Sequence, residues 1–438
     1  MKKYLWTSLL SASLMALSGC SSSSGSSSVS TLETVTGETS EASSAEASAE
    51  STTAETVVYD YVHGKDGYYN IADEMTEFEM MPQQYGDCWL HAAAASMETN
   101  IFKKIGSYTP IDPLHLLDIV YINDKDEGFI VKENIDPKDN GGWQWMVTET
   151  LSRGFDDLTL DSSVILDTAD REAIKENIRT RGAVAIGVYD VTSDKKGWFG
   201  PYRTLNYTID DMFDHDVTII GYDDHFPKEY FKEPAAEDGA WITYNSNECS
   251  GGNYFYVSYC APLQYAISHS VTDKYSEVLS YDAGNEQDRY IRTGDKTTTA
   301  NVFHKAGKLA AVGTYNDFDT QNITIEVYSA DLRELLYKQD AVLGHHGYHT
   351  IELDAPLEVS DFAVAITYEK GAPVEGEDID YVNTDYKTVS ESGQSFVRTD
   401  NPDGTAGEWQ DLTDSGIREA LNIDFEPGNC CIKALLAK

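Results

Sequence analysis

The sequence predicts an α+β unit followed by an all-β sandwich, set behind a long leader. Three observations predict it. Apolar residues recur at helical spacing over 89–105, 142–151 and 171–181. Strand-like runs take over from residue 183. Beyond about Glu277 the helical period nearly disappears and a two-residue alternation replaces it. The length agrees, since 438 residues make two or three folded units at roughly 100–200 residues each. A content of 41% hydrophobic and 11% aromatic residues is enough for sizeable cores.

Taken from the N-terminus, Lys2 and Lys3 precede an apolar run over 5–17 that ends in Leu17-Ser18-Gly19-Cys20. A charged start, a short apolar stretch and small residues make a secretory signal, too short for a stable span. Its ending resembles the bacterial lipoprotein signal, which implies that residues 1–19 are removed and Cys20 is lipidated. The protein is then expected outside the cytoplasm, at the cell surface, touching the membrane through that lipid alone. Over 21–56, 20 of the 36 residues are Ser or Thr and 6 are Glu, with no Lys, Arg or aromatic residue. Such a stretch cannot bury enough apolar surface to offset ordering entropy, so 20–56 is expected to act as a tether. The folded units are expected at 57–276 and 277–438. With 32 basic against 74 acidic residues the formal charge is -42, which excludes nucleic acid as a partner.

Within 57–276, Asp170 can cap the third helix and Gly182 can end it. Runs at 183–188, 217–222, 240–244 and 254–259 read as strands. In the second unit Ile323, Ile325 and Val327 alternate with polar residues. Phe362, Val364, Ile366 and Tyr368 repeat the pattern, as do Ile432, Ala434 and Leu436.

The residues that carry chemistry lie in the first unit. Cys88 follows Tyr85-Gly86-Asp87 and opens the first helix. His215 starts a strand and Asn245 ends another, 127 and 157 residues further on. A helix N-terminus and an imidazolium both favour a thiolate, so the Cys88 thiol is expected to titrate low. An amide oxygen can hold one imidazole nitrogen and leave the other facing the sulfur.

With Gly86-Asp87-Cys88-Trp89, Asp214-His215-Asp216-Val217 through Gly221-Tyr222, and Asn245-Ser246 followed by Gly252-Asn253-Tyr254-Phe255, the sequence resembles the papain-like cysteine peptidases. Asp223-Asp224, Lys228-Glu229-Tyr230-Phe231, Thr299-Ala300-Asn301-Val302-Phe303 and Gly347-Tyr348-His349 resemble the bacterial subgroup with a C-terminal lectin-like domain. The resemblance implies a helical half and a β-barrel-like half followed by a lectin-like sandwich. It also implies a protein or peptide substrate and no cofactor. Cys88 would be the nucleophile, His215 its acid–base partner and Asn245 the orienting group. Gln83 would supply an oxyanion donor, and Gly141 and Gly142 would hydrogen-bond substrate through their backbone. The sandwich would face a carbohydrate or another cell-surface ligand.

Departures from the family pattern qualify this. The oxyanion Gln normally stands six residues before the Cys, where this chain has Pro82, so a one-residue deletion must be assumed for Gln83, and Gln84 competes for the role. Asn247 replaces the Trp after Asn-Ser, which would leave the His–Asn bond wetter. Two of the family's disulfides cannot form, because Gly86-Asp87 and Asp139-Asn140 stand at their cysteines. Cys249 and Cys260 either pair or stay free, and Cys430 and Cys431 are adjacent. No metal site is expected: strand alternation would split His345, His346 and His349 between faces, and Asp223-Asp224-His225 reads as a solvated loop. Three functions stay open, namely a hydrolytic peptidase, an inactive papain-like adhesion protein and a cysteine transpeptidase.

Overall fold

The computed structural model describes residues 61–438 apart from 65, 76–77, 80, 122–126, 155–157, 190–196, 209–212, 248–251, 286–288 and 401–404. The signal, Cys20, the tether and Cys249 lie outside the described residues.

Helix α1 (Cys88–Ile105) is the centre of the first unit, buried without interruption from Trp89 to Asn100. Its Ala92–Ala95 patch is small enough for strands to approach closely. Ser96 Oγ donates to Ala183 O at 2.8 Å, and the Ala183 N–H donates to Thr99 Oγ1 at 2.8 Å. Gly106, at φ +70°, stops the helix in the left-handed conformation that suits glycine. Helix α2 (Pro113–Tyr121) is additional to the expected set; it opens on a proline, with Asp112 accepting from the Leu114 N–H. Helix α3 (Gln144–Ser152) begins two residues later than the sequence suggests. Gly141 sits at φ +73° and Trp143 is extended at φ −145° and ψ 161°, so the helix starts only at Gln144. Helix α4 (Arg171–Thr180) is capped by Asp170, whose side chain accepts from the Ala173 N–H at 3.0 Å.

Against these helices runs an antiparallel, barrel-like sheet. Its strands pair in the order Thr159–Ile165, Ala266–Thr272, Val184–Val188, His215–Asp223, Ala240–Tyr244 and Tyr254–Ser258. Tyr68–Asn70 adds to the far end of the His215 strand, pairing with 221–223. Asp223, expected in a solvated loop, is buried instead. The N-terminal segment packs over it, with Tyr61 Oη donating to Asp223 Oδ2 and His63 Nδ1 2.6 Å from the same oxygen.

The second unit is a sandwich built on two long strands, Thr297–Asn316 and His346–Tyr368, paired along their length through register shifts. Every residue of the three expected alternating series, from Ile323 to Leu436, is buried in its core. Among the described residues, Cys260, Cys430 and Cys431 are free thiols.

The two units are joined by more than a linker. Strand Tyr275–Leu279 already pairs with Ile432–Ala437, while Thr159–Ile165 pairs with both Ala266–Thr272 and the start of His346–Tyr368. One hydrophobic cluster takes in Trp89, Met146 and Val147 from the helices together with Tyr315, Tyr348 and Tyr386 from the sandwich. Gly128–Val131 forms a small sheet with Thr384–Lys387 and Ile379–Asp380.

Candidate active site

Cys88 is the first residue of α1, where backbone N–H groups have no helical partner. The N–H groups of Trp89 and Asp216 both point at its sulfur. Asp216 follows His215, so the strand that carries the histidine passes directly by the thiol. His215 Nε2 lies 2.8 Å from Asn245 Oδ1, which leaves Nδ1 as the ring nitrogen not engaged by the amide. Asn245 is held rigidly. Its N–H donates to Asn253 O at 2.9 Å and its carbonyl accepts from Asn253 Nδ2 at 2.8 Å. The family's Trp is missing; Asn245 itself is 0% exposed, and its bond to His215 is partly buried. Asn247 contributes its backbone N–H, 3.3 Å from Asn245 Oδ1.

The structure places Gln83 beside this group and leaves Gln84 exposed. The Gln83 N–H donates to Ser246 O at 3.1 Å, its Oε1 accepts from Ser246 Oγ at 2.8 Å, and Nε2 donates to Tyr85 O at 2.7 Å. One hydrogen of Nε2 is left for another acceptor. Gly141 O accepts from Tyr121 Oη at 2.6 Å. A Cβ on Gly142 would stand 2.4 Å from the Trp89 ring, so only glycine fits there. Among the described residues, neither the N–H nor the C=O of Gly142 has a hydrogen-bond partner.

Sequence reasoning missed Asp216, Gln144 and Tyr265. Asp216 is buried; one carboxylate oxygen accepts from Tyr265 Oη and the other from Gln144 Nε2 at 3.0 Å. Gln144 Nε2 also donates to Trp89 O at 2.6 Å. Burial pushes the Asp216 carboxyl up to about 6, against the pull of Tyr265, Gln144 and His215. Its signal in the sequence was the Asp that stands where the family has Ala after His. It alters the expectation for the nucleophile. Burial, then the nearby carboxylates of Asp216 and Asp87, push the Cys88 thiol up, and the two backbone N–H groups only partly oppose them. These influences act against the lowering expected from helix and histidine.

The histidines of the sandwich are placed apart from this site. His349 Nε2 lies 3.1 Å from His345 O, and His346 lies 3.6 Å from Asp317 and 3.5 Å from Asp319. Among the described residues no cluster of His, Cys, Asp or Glu could hold a metal ion.

Comparison with known proteins bears on this architecture. The family described as "Lectin like domain" matches residues 280–435. Cwp84, a clostridial cysteine protease solved after propeptide cleavage, superposes with a TM-score of 0.67 at 17% identity, covering 85% of this chain and 99% of that one. The cysteine protease and lectin-like domains of Cwp84, described as a surface layer associated protein of Clostridium difficile, superpose with a TM-score of 0.65 at 17% identity over 86% of this chain and 89% of that one. No curated protein sequence matches the chain. At these identities the likeness speaks for the fold, which on the site's geometry and the sandwich match is that of a papain-like cysteine peptidase followed by a C-terminal lectin-like domain.

Proposed function

We propose that the chain is a surface-anchored cysteine peptidase that hydrolyses peptide bonds with Cys88, His215 and Asn245. The observation that carries this reading is the 2.8 Å contact of His215 Nε2 with a buried, clamped Asn245, while the N–H of Asp216, the residue after His215, is directed at the Cys88 sulfur. In the first half-reaction the Cys88 proton passes to His215 and the sulfur attacks the scissile carbonyl carbon. His215 then protonates the leaving amine as the C–N bond breaks, and a thioester remains. In the second half-reaction His215 takes a proton from water, the hydroxide displaces the thiol, and the acid product leaves. The tetrahedral oxyanion of each step would accept from Gln83 Nε2 and the Cys88 N–H. The N–H and C=O of Gly142, without a partner among the described residues, suit the main chain of an extended peptide.

The anchor is proposed from Leu17-Ser18-Gly19-Cys20. For the sandwich, a carbohydrate or other cell-surface ligand is proposed. A pocket lined by Lys296, Asn322, Thr324, Asp340 and Glu369 supplies suitable donors and acceptors.

Alkylation tests the chemistry without a known substrate. At neutral pH iodoacetamide should modify Cys88 ahead of Cys260, Cys430 and Cys431, as located by mass spectrometry. His215→Ala should slow that reaction at least tenfold, and a peptidyl epoxide should label the same sulfur in wild type alone. Cys88 reacting no faster than the other thiols, unaffected by His215→Ala, would mean an inactive adhesion protein. Labelling together with amine-dependent product, and no hydrolysis, would mean a transpeptidase.

A further inference from the structure

The small sheet that joins the two units reaches the residue before the glycine pair, through Thr384 and Asn140. Tyr381-Val382-Asn383-Thr384 turns between Ile379–Asp380 and Thr384–Lys387, closed by the Tyr381 N–H donating to Thr384 O at 2.9 Å. Strand Thr384–Lys387 then pairs with Gly128–Val131 of the peptidase unit, Thr384 opposite Val131 and Tyr386 opposite Phe129. Lys132 fastens the turn. Its N–H donates to Asn383 O at 3.0 Å, and its ammonium meets Asp380, Tyr381 O and, at 3.6 Å, Asp385.

From this hairpin two contacts lead to the cleft. Asn140 Nδ2 donates to Thr384 Oγ1 at 2.7 Å and to Tyr121 Oη at 3.0 Å, and Tyr121 Oη in turn donates to Gly141 O at 2.6 Å. Trp143, which follows Gly142, has its ring 5.3 Å from Tyr381 and 5.9 Å from Phe129. The pair Gly141-Gly142 is thus bracketed by two residues, Asn140 and Trp143, that both lean on the second unit. Gly141 itself has nothing within 4 Å of where its Cβ would be, so its conformation is set through these neighbours and its carbonyl. The same loop reaches the residues before the nucleophile, where the Gly86 N–H donates to Lys138 O at 3.0 Å.

We infer that the hairpin 379–387 of the lectin-like unit is a positioning element of the peptidase cleft: through Thr384, Asn140 and Tyr381 it holds the Gly141-Gly142 backbone in the conformation that takes a substrate's main chain. This rests on the peptidase reading above. It adds that binding of extended peptides depends on the second unit, whereas the reactivity of Cys88 toward a small reagent does not. An isolated sandwich of unrelated function would have no reason to reach the residue beside Gly141.

The test separates binding from chemistry. In full-length protein, Thr384→Val removes the acceptor for Asn140 and keeps the side-chain shape. The concentration of peptidyl epoxide giving half-maximal inactivation should rise about fivefold to tenfold, the usual worth of one hydrogen bond. The maximal inactivation rate and the iodoacetamide rate should stay within twofold, and Thr384→Ser should restore tight binding. Amide exchange over 140–143 should quicken in Thr384→Val and return to the wild-type rate in Thr384→Ser. Unchanged epoxide affinity and unchanged exchange would overturn the inference, as would a parallel fall in the iodoacetamide rate, which marks a general structural role. If the wild-type protein shows no preference for the peptidyl reagent over iodoacetamide, the peptidase reading itself fails, and this inference fails with it.

Discussion

Asp216 puts a carboxyl group out of water beside the Cys88 sulfur, and the cost falls on both. Raised to about 6, it is neutral in mildly acid solution and ionised above that. Ionised, it opposes the Cys88 thiolate. Replacing it with Asn should therefore quicken alkylation of Cys88 about tenfold at pH 8 and change it little at pH 5, where the wild-type carboxyl is already protonated. A stability change goes with it. A carboxyl whose folded value is raised contributes stability below its unfolded value near 4, and that contribution is lost as pH rises through the folded one. Between pH 4 and 8 wild type should lose roughly 2–3 kcal/mol relative to Asp216→Asn in urea titrations. Equal pH dependence in both proteins would show that Asp216 is not the titrating group. Cys88, His215 and Asn245 were legible because each stands at a turn-to-element junction within a recognisable motif. Asp216 hid inside such a motif, where it reads as one more strand residue.

Although the apolar helix α2 was missed, elements marked by a cap or a clear apolar period could be read from the sequence. Helix α4 and the sandwich strands are of this kind, with caps and alternation in plain view. Thr159–Ile165 and Ala266–Thr272 were not found, because their buried positions carry Ser162, Ser163, Ser268, His269 and Ser270. The side chains of Ser162, Ser163, His269 and Ser270 meet partners supplied by other elements. Ser163 Oγ lies 2.7 Å from Thr148 Oγ1, and the His269 N–H donates to Ser96 Oγ at 3.0 Å. Pairing of this sort leaves no hydrophobic period to detect. Burial also pushes the His269 imidazole down to about 4, so it stays neutral in the core. The close fit of α1 to the sheet makes a further prediction. At Gly182, φ +130°, an added Cβ would stand 2.7 Å from the Asn100 nitrogen, while at Gly106, φ +70°, it would meet nothing. Gly182→Ala should cost about 2–4 kcal/mol in chemical denaturation and Gly106→Ala only about 1 kcal/mol. Similar losses at the two sites would show that α1 does not lie tightly on that turn.

On the scale of the molecule, the sequence suggests two units divided near residue 276, and the structure gives them shared strands and a shared cluster. Periodicity reports what each segment buries and is silent about which unit provides the covering surface. Ser152 Oγ, on a peptidase helix, lies 2.7 Å from the hydroxyl of Tyr315 in the sandwich, and both are buried. Residues 57–438 should accordingly unfold in one cooperative transition, with tryptophan fluorescence and far-ultraviolet dichroism superimposing. Two separated transitions would show that the units are stable alone.

The pairing of Tyr68–Asn70 with the far end of the His215–Asp223 strand has a mechanical meaning. His215 and Asp223 are the ends of a nine-residue strand, about 26 Å apart at the usual rise. Where the chain enters the fold, the Tyr61, His63 and Tyr68–Asn70 contacts clasp the Asp223 end. Tension applied through the N-terminus would be borne there first. A pull from the N-terminal side would thus strain the end of the strand remote from His215, and the clasp would give way before the histidine end felt the load.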